Sequence, residues 1–333
     1  MPATTARDPA GAVPSVSVVI PTKNRRSLLM PTLAAVAGQS DVELEVVVVD
    51  DGSTDGTVDA VGALGDPRIT VLRHETSRGV VAARNRGLAG ARGEWVAFCD
   101  DDDLWAPGKL ASQLHAAAAL GRRWAVAGAV GFEPDGNVLY ERLPVEGEQL
   151  AALLPWNNAV PGGSSNVVAR RSLLDEVGGF DPRLRVLADW ELWIRLARSG
   201  PPASVPAAAV GYRMHGANMS TGSEGVLDEL RLIEGLSADL RNGRRLDPAW
   251  FHKWMGVSMM RGGNRRGAAL AFWRQATVRK PSPVLRSVAC LVVPAPGWAI
   301  ARRLRRGRVA AVPTPPWLAY LLAAEHRRLV AAG

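Results

Sequence analysis

The first hundred residues alternate short runs of β-branched apolar residues with longer stretches of helical period. Val16–Ile20 (VSVVI), Glu45–Val49 (EVVVV), Ile69–Leu72 (ITVL) and Trp95–Cys99 (WVAFC) predict strands. Their nearly unbroken apolar character suits a sheet covered on both faces. Between them, Arg26–Gly38, Thr54–Leu64 and Gly79–Ala91 are each long enough for a crossover helix, with Ser53 and Thr54 placed to cap the second. This βαβα order predicts an α/β fold built on a doubly wound, mostly parallel sheet. Ligands of such sheets sit beyond the carboxyl ends of the strands, so chemistry is expected there.

Farther along, Ala125–Phe132 and Asn137–Leu143 flank Pro134-Asp135-Gly136 and predict a hairpin. Gly162–Ser165 is a small-residue loop before the short run Val167–Ala169, and Ala207–Met214 predicts another strand. Leu187–Arg198 has helical period, with Trp190, Trp193, Ile194 and Ala197 on one face. At that spacing the tryptophans fit a core better than a sugar-stacking platform, and Trp105 likewise reads as packing. From about Gly225 the pattern is helical, interrupted by prolines at 281, 283, 294, 296, 313, 315 and 316, and no internal repeat is visible.

With 333 residues, 47% hydrophobic and 22% charged, the chain can bury a sizeable core and does not have the composition of a disordered one. Its two cysteines, Cys99 and Cys290, exclude a disulfide scaffold and a Cys-rich zinc module. No segment reaches the roughly 18 uncharged apolar residues of a membrane span. Residues 1–14 lack the apolar core of a secretory signal, so a flexible N-terminus and a reducing, cytoplasmic setting are expected. The net charge of +8 conceals a division. Residues 1–240 carry 22 Lys and Arg against 30 Asp and Glu, whereas residues 241–333 carry 18 against 2. A mildly acidic body precedes a strongly basic tail, and the two are expected to do different work.

The acidic body concentrates its chemistry at predicted strand ends. Asp100, Asp101, Asp102 and Asp103 directly follow Trp95–Cys99. Four adjacent carboxylates repel one another, and a hard divalent cation, Mg²⁺ or Mn²⁺, is the simplest reason to keep them. In an extended segment Asp100 and Asp102 would project to one side. The bland alternative is a solvated acidic loop whose Asp103 caps the helix starting near Ala106-Pro107. Val49 leads into Asp50-Asp51-Gly52-Ser53, and Ile20 into Pro21-Thr22-Lys23-Asn24. Singly, each such loop is a common turn; three at one sheet edge point to a binding site. Neither G-x-G-x-x-G after the first strand nor G-x-x-x-x-G-K-[ST] occurs, which argues against a dinucleotide dehydrogenase and a P-loop NTPase.

The ordered set VSVVIPTKN (16–24), VVDDGSTD (48–55), RNRG (84–87), FCDDDDLWAP (98–107), Gly178-Gly179-Phe180-Asp181, DWELWIRL (189–196) and YRMHGANMS (212–220) resembles the family-2 glycosyltransferases. The resemblance spans about residues 15–222 and implies a GT-A fold, a nucleotide-diphospho-sugar donor and inverting transfer to an acceptor hydroxyl. It implies that Pro21, Thr22 and Asn24 line the base and ribose pocket, that Asp51 bonds the nucleobase, and that Arg78 and Arg84 face the nucleotide. Asp100 and Asp101 would belong to the same nucleotide site, Asp102 would ligate the metal, and His215 would lie near the diphosphate or metal. Asp189 falls where the family has its catalytic base, although Ala188 precedes it here in place of the usual Glu. By itself Asp189 equally suits a helix N-cap.

The resemblance implies a GT-A domain over residues 15–224, with a nucleotide-binding half (15–105) and an acceptor half (106–224); the basic helical region (225–333) that follows lies outside it and is read from charge and pattern alone. In that region Trp250, Trp254, Trp273, Trp298 and Trp317 are interleaved with arginines. Arg302, Arg303, Arg305, Arg306 and Arg308 follow the apolar stretch Val288–Ala301, a pattern suited to an anionic membrane surface. The alternative is a helical cap with solvated arginines. No nucleic-acid motif is present, so nucleic acid is not an expected partner. The resemblance, together with the basic tail, implies a glycan or lipid-linked acceptor. A sugar-nucleotide nucleotidyltransferase, which would want a Gly-rich basic loop after the first strand, and a non-catalytic nucleotide-sugar-binding module are the competing readings.

Overall fold

The computed structural model describes residues 15–215, 225–246, 248–261, 263–275, 282–292 and 312–332. Its centre is a nine-stranded sheet. The strands are β1 (Ser15–Thr22), β2 (Glu43–Asp50), β3 (Ile69–Arg73), β4 (Trp95–Phe98), β5 (Leu104–Trp105), β6 (Trp124–Phe132), β7 (Val138–Arg142), β8 (Val168–Arg170) and β9 (Ala203–Arg213). They run in the order β3-β2-β1-β4-β8-β6-β9-β5, with β7 paired to β6. The first four are mutually parallel, and β6 is parallel to β9. The short β8 runs antiparallel to both β4 and β6 and joins the two parallel parts.

Helices α1 (Arg26–Ala37), α2 (Thr57–Gly62) and α3 (Val80–Gly90) are the crossovers of the first half. The strands feed two cores by simple alternation, because successive side chains point to opposite faces. Val19, Val47 and Val49 pack on one face with Val81, Ala83 and Leu88 of α3. Val16, Val18, Ile20, Val46 and Val48 pack on the other with Leu29, Leu33 and Val36 of α1. Each buried aliphatic side chain contributes about 1.5–3 kcal/mol, so both faces hold the strands in register. That register positions the site. Thr22 pairs with Asp50, and Val19 with Phe98, so the loops leaving β1, β2 and β4 emerge side by side.

The second half adds α4 (Lys109–Ala119), α5 (Gly147–Leu153), α6 (Arg171–Val177) and α7 (Ala188–Arg198). Trp190 and Trp193 of α7 are fully buried, as is Trp105, whose indole donates to the Ser165 carbonyl at 2.9 Å. Then come α8 (Val226–Leu236), α9 (Pro248–Arg261), α10 (Arg265–Gln275), α11 (Ser282–Val292) and α12 (Pro316–Ala332). Two of these return to the sheet body. Phe251 of α9 stacks on Trp190 with centroids 5.3 Å apart. Leu318 of α12 is buried among Leu104, Val130 and Phe132. By contrast α10 and α11 expose Trp273, Leu285 and Leu291. Trp298 and the arginine run 302–308 lie outside the described residues.

Two predicted caps are not formed. Helix α2 starts at Thr57 behind Gly56 in the left-handed region, with no side-chain cap. Ser53 instead accepts the Asn24 amide at 2.9 Å, and the Asp55 carboxylate accepts the Thr57 amide at 3.1 Å, so residues 53–56 are consumed in a loop. Asp103 does not cap α4 either. That helix begins at Lys109 after Gly108, and Asp103 is buried under the sheet end.

Gly87 is where α3 meets β1 most closely; an added Cβ would stand 2.2 Å from Val19 Cγ1. Gly87→Ala is therefore expected to destabilise the chain by about 1–3 kcal/mol, read as a lowered urea midpoint. An unchanged midpoint would mean that α3 does not pack on β1 at this spacing.

Candidate active site

Three loops meet at the carboxyl edge of the parallel strands, and hydrogen bonds fix them to one another. Asn24, whose φ of 52° suits the short amide side chain, accepts the Thr54 amide at 2.7 Å and donates its own amide to Ser53. Thr22 donates to Asp101 Oδ2 at 2.7 Å. Asp51 is buried and accepts from four groups: His74 Nδ1 at 2.7 Å, the Ser77 hydroxyl at 2.6 Å, and the Arg78 and Gly79 amides at 2.8 and 2.9 Å. Burial alone would raise its pKa. The Arg78 amide, Ser77, His74 and the Gly79 amide outweigh burial and hold the carboxylate down to about 2. Asp51 thereby fastens the loop after β3 beneath the site.

The four consecutive aspartates occupy four different environments. Asp100 is half-exposed and pairs with Arg84 at 2.6 Å. Asp101 is buried; burial and the adjacent Asp102 charge push it up to about 6, against Arg25 and Thr22. Asp102 Oδ2 lies 2.9 Å from Arg25 Nη1 and 3.0 Å from His215 Nε2. Asp103 turns the other way and accepts the Arg213 amide at 3.0 Å. Burial, then the charges of Asp102 and Asp100, raise it well above the ordinary carboxylate range. The segment is a turn rather than an extended strand, closed by the Asp103 amide on the Asp100 carbonyl at 3.3 Å. Consequently Asp100, Asp101 and Asp102 all line the cleft, not only the alternate pair expected from strand geometry.

That cleft has a volume of about 540 Å³ and also takes in Pro21, Arg84 and, across from them, Asp189. Asp189 is the second residue of α7; Leu187 holds the cap position, so the N-cap alternative does not describe it. Its Oδ1 accepts the neighbouring Trp190 amide at 2.6 Å, and Asn158 Nδ2 approaches Oδ2 at 3.4 Å. Burial raises its pKa, Arg84 opposes this, and Asp100 adds to it. Gly163 lets the loop approach, since a Cβ there would stand 3.3 Å from Asp189 Oδ2. Asp102 and Asp189 therefore face one shared space. Arg78 does not join them. It contributes its backbone amide to Asp51, while its side chain is exposed and outside the cleft lining.

Sequence reasoning passed over Arg25, which neutralises two of the aspartates although it directly follows the Asn24 loop. It also passed over His74 and Ser77, for which no local signal existed, and Arg213, which stands two places before His215. Tyr140, Arg142, Lys253 and Trp254 complete the cleft from β7 and α9. For a divalent cation, no group of three His, Cys, Asp or Glu side chains converges among the described residues. Asp102 and His215 nevertheless form a carboxylate–imidazole pair of the right chemistry, one that a diphosphate and water could complete.

The parallel half-sheet, the acidic turn at its carboxyl edge and the short antiparallel link define a GT-A fold of the nucleotide-diphospho-sugar transferases. The chain superimposes with a TM-score of 0.59 on TarS of S. aureus in complex with UDP-GlcNAc, at 19% identity over 86% of this chain and 83% of that one. It matches the mannosyltransferase PcManGT of Pyrobaculum calidifontis, in complex with GDP-Man and Mn²⁺, with a TM-score of 0.50 at 21% identity, covering 99% and 90% of the two chains. Residues 17–178 match the family described as Glycosyl transferase family 2. A putative teichuronic acid biosynthesis glycosyltransferase, TuaG of Bacillus subtilis (strain 168), is 32% identical over 190 residues, 56% of this chain and 73% of its own. The chain belongs to glycosyltransferase family 2. It spans 61% to 73% of the length of the first three curated relatives it matches.

The Asp51 network has a pH signature. Its folded pKa, about 2, lies below the ordinary 3.8, so its stabilisation is full above about pH 4 and is lost as pH falls through the folded value. Asp51→Asn is expected to cost about 2 kcal/mol at pH 7, with the melting-temperature gap to the native chain narrowing below about pH 4. A gap independent of pH would contradict the network.

Proposed function

We propose that this chain is an inverting glycosyltransferase that moves a sugar from a nucleotide-diphospho-sugar to an acceptor hydroxyl in cell-surface glycan or glycolipid synthesis. The observation that carries this reading is the single cleft onto which Asp102 and Asp189 both open. In it, residues 15–105 serve the nucleotide and residues 106–224 the acceptor. Pro21, Thr22, Asn24 and Asp51 shape the base and ribose pocket, with Asn24 and Asp51 acting through the loop geometry they fix. Arg84 and Asp100 border the diphosphate end, Asp101 supports the turn, and Arg78 serves the site through the backbone amide it gives to Asp51. Relatives in teichuronic acid and succinoglycan synthesis support the cell-envelope setting.

Asp102 and His215 would hold Mg²⁺ or Mn²⁺ together with the donor diphosphate, and that cation would supply Lewis-acid stabilisation of the departing charge. The protein's own residues do the rest. Asp189 takes the proton of the acceptor hydroxyl as its oxygen attacks the anomeric carbon, and burial makes this carboxylate a better base. Asn158 and the Trp190 amide fix its orientation. A single displacement by a directly activated nucleophile inverts the anomeric centre. Trp190 and Trp254 exclude water from the acceptor end, while Arg142 and Lys253 give that end positive charge.

The same proposal seats the enzyme peripherally on the cytoplasmic face of the plasma membrane. The exposed apolar side chains Trp273, Leu285 and Leu291 and the arginines at 302–308 support contact with anionic lipid. No helix among the described residues is long and apolar enough to cross a membrane.

The base role is tested with Asp189→Asn after the donor has been found by thermal shift among UDP-, GDP- and dTDP-sugars with Mn²⁺. Transfer should fall by about 10²- to 10⁴-fold while the donor still raises the melting temperature; near-native turnover would remove Asp189 from that role. Membrane contact is tested by flotation with phosphatidylglycerol vesicles. The full chain should float, and a variant carrying Glu at positions 302, 303, 305, 306 and 308 should not; equal flotation of the two would dismiss the arginines as the anchor.

A further inference from the structure

Beyond the segment matched by the family, the C-terminal helix α12 reaches the acidic turn through one buried arginine. Arg213, the last residue of β9, has a side chain only 4% exposed. Its Nη2 lies 2.8 Å from Glu325 Oε2 on α12, and its Nε donates to the main-chain carbonyl of Asp102 at 3.0 Å. The guanidinium sits over the Phe132 ring, 5.0 Å from its centroid. Arg213 also donates its amide to Asp103 Oδ1. Main chain and side chain of one residue thus grip adjacent residues of the turn that presents Asp102.

Packing fixes where α12 sits. Leu318 is fully buried, the Trp317 indole donates to the Ala208 carbonyl at 3.2 Å, and at Gly211 an added Cβ would come within 3.2 Å of Phe132 and 3.3 Å of Leu318. The helix therefore lies directly on β9, two residues from Arg213, and delivers Glu325 to a defined point. A guanidinium this deeply buried needs a counter-charge. With Glu325 present, Arg213 can spend its Nε on a neutral carbonyl. Without Glu325, the counter-charge that α12 supplies would be lost while the Arg213 Nε and amide remain on the turn, and the turn would lose that brace.

We propose that Glu325 and Arg213 are positioning residues that hold the Asp100–Asp103 turn in its cation-binding geometry, which makes α12 a working part of the donor site. This rests on the reading of Asp102 as the cation ligand.

The test is titration of the full chain with Mn²⁺ in the presence of saturating UDP, GDP or dTDP, bound and free ion being distinguished by electron paramagnetic resonance, with melting temperatures measured in parallel. Asp102→Asn should abolish the site. Glu325→Ala should weaken Mn²⁺ binding about tenfold or more, as loss of groups supporting a metal ligand does. Glu325→Gln, which keeps an acceptor without charge, should fall between. The double variant Arg213→Met with Glu325→Leu should recover melting temperature, because an apolar pair can replace a buried ion pair, yet should not recover Mn²⁺ affinity. If Asp102→Asn loses the site while the Glu325 variants bind like the native chain, the positioning role is wrong and the Asp102 reading stands. Recovery of affinity together with stability in the double variant also overturns it, leaving a purely structural pair. Should the native chain bind no Mn²⁺, or Asp102→Asn bind as well as native, the Asp102 reading fails and the positioning role fails with it. If Glu325→Ala does not fold, Glu325→Gln and the double variant decide by the same criteria.

Discussion

Four carboxylates in a row at the end of a buried strand impose the constraint that organises this protein. Like charges so close cannot all ionise in a low-dielectric setting without partners. The fold answers with polar partners drawn from distant points of the chain. Arg25 comes from the first loop, Arg84 from the first-half crossover α3, and His215 from the segment after the last strand. Asp103 is turned inward onto a backbone amide and shifted toward its neutral form. The cleft exists because these groups converge, and its walls are the elements that deliver them.

The sheet is the means of convergence. Parallel pairing of β1, β2 and β4 puts three loop starts at one edge, and packing on both faces leaves that register little freedom. The second half of the sheet serves the opposite wall. The short β8 reverses direction, and the Gly163–Asn166 turn before it approaches Asp189, so two halves of different topology close on one space. The C-terminal helices extend this logic, with α9 lining the outer cleft and α12 bracing the turn from β9.

Much of this was legible in the residue pattern. The four parallel strands of the first half, the β6–β7 hairpin and α7 lie within two residues of their expected bounds, because β-branched runs and helical period are local signals. Positions 203–206 at the start of β9 were missed, since Pro206 interrupts the run. The partners of Asp51 were illegible for another reason. His74 and Ser77 stand 23 and 26 residues away, and nothing local marks a histidine as a hydrogen-bond partner rather than a ligand.

The chain's sequence by itself determined the alternation of elements, the two-faced core and the three polar loops at strand ends, because each depends on neighbours within a few residues. It also determined, through ordered motifs, the family and therefore where the donor and acceptor chemistry should lie. Tertiary structure alone decided that Arg25 sits on Asp101 and Asp102, that Asp100, Asp101 and Asp102 share the cleft while Asp103 is withdrawn, and that Glu325 reaches back across 112 residues to Arg213. A charge's partner is set by distance in space and by how much water the fold removes, and neither quantity is written in the spacing of residues along a chain.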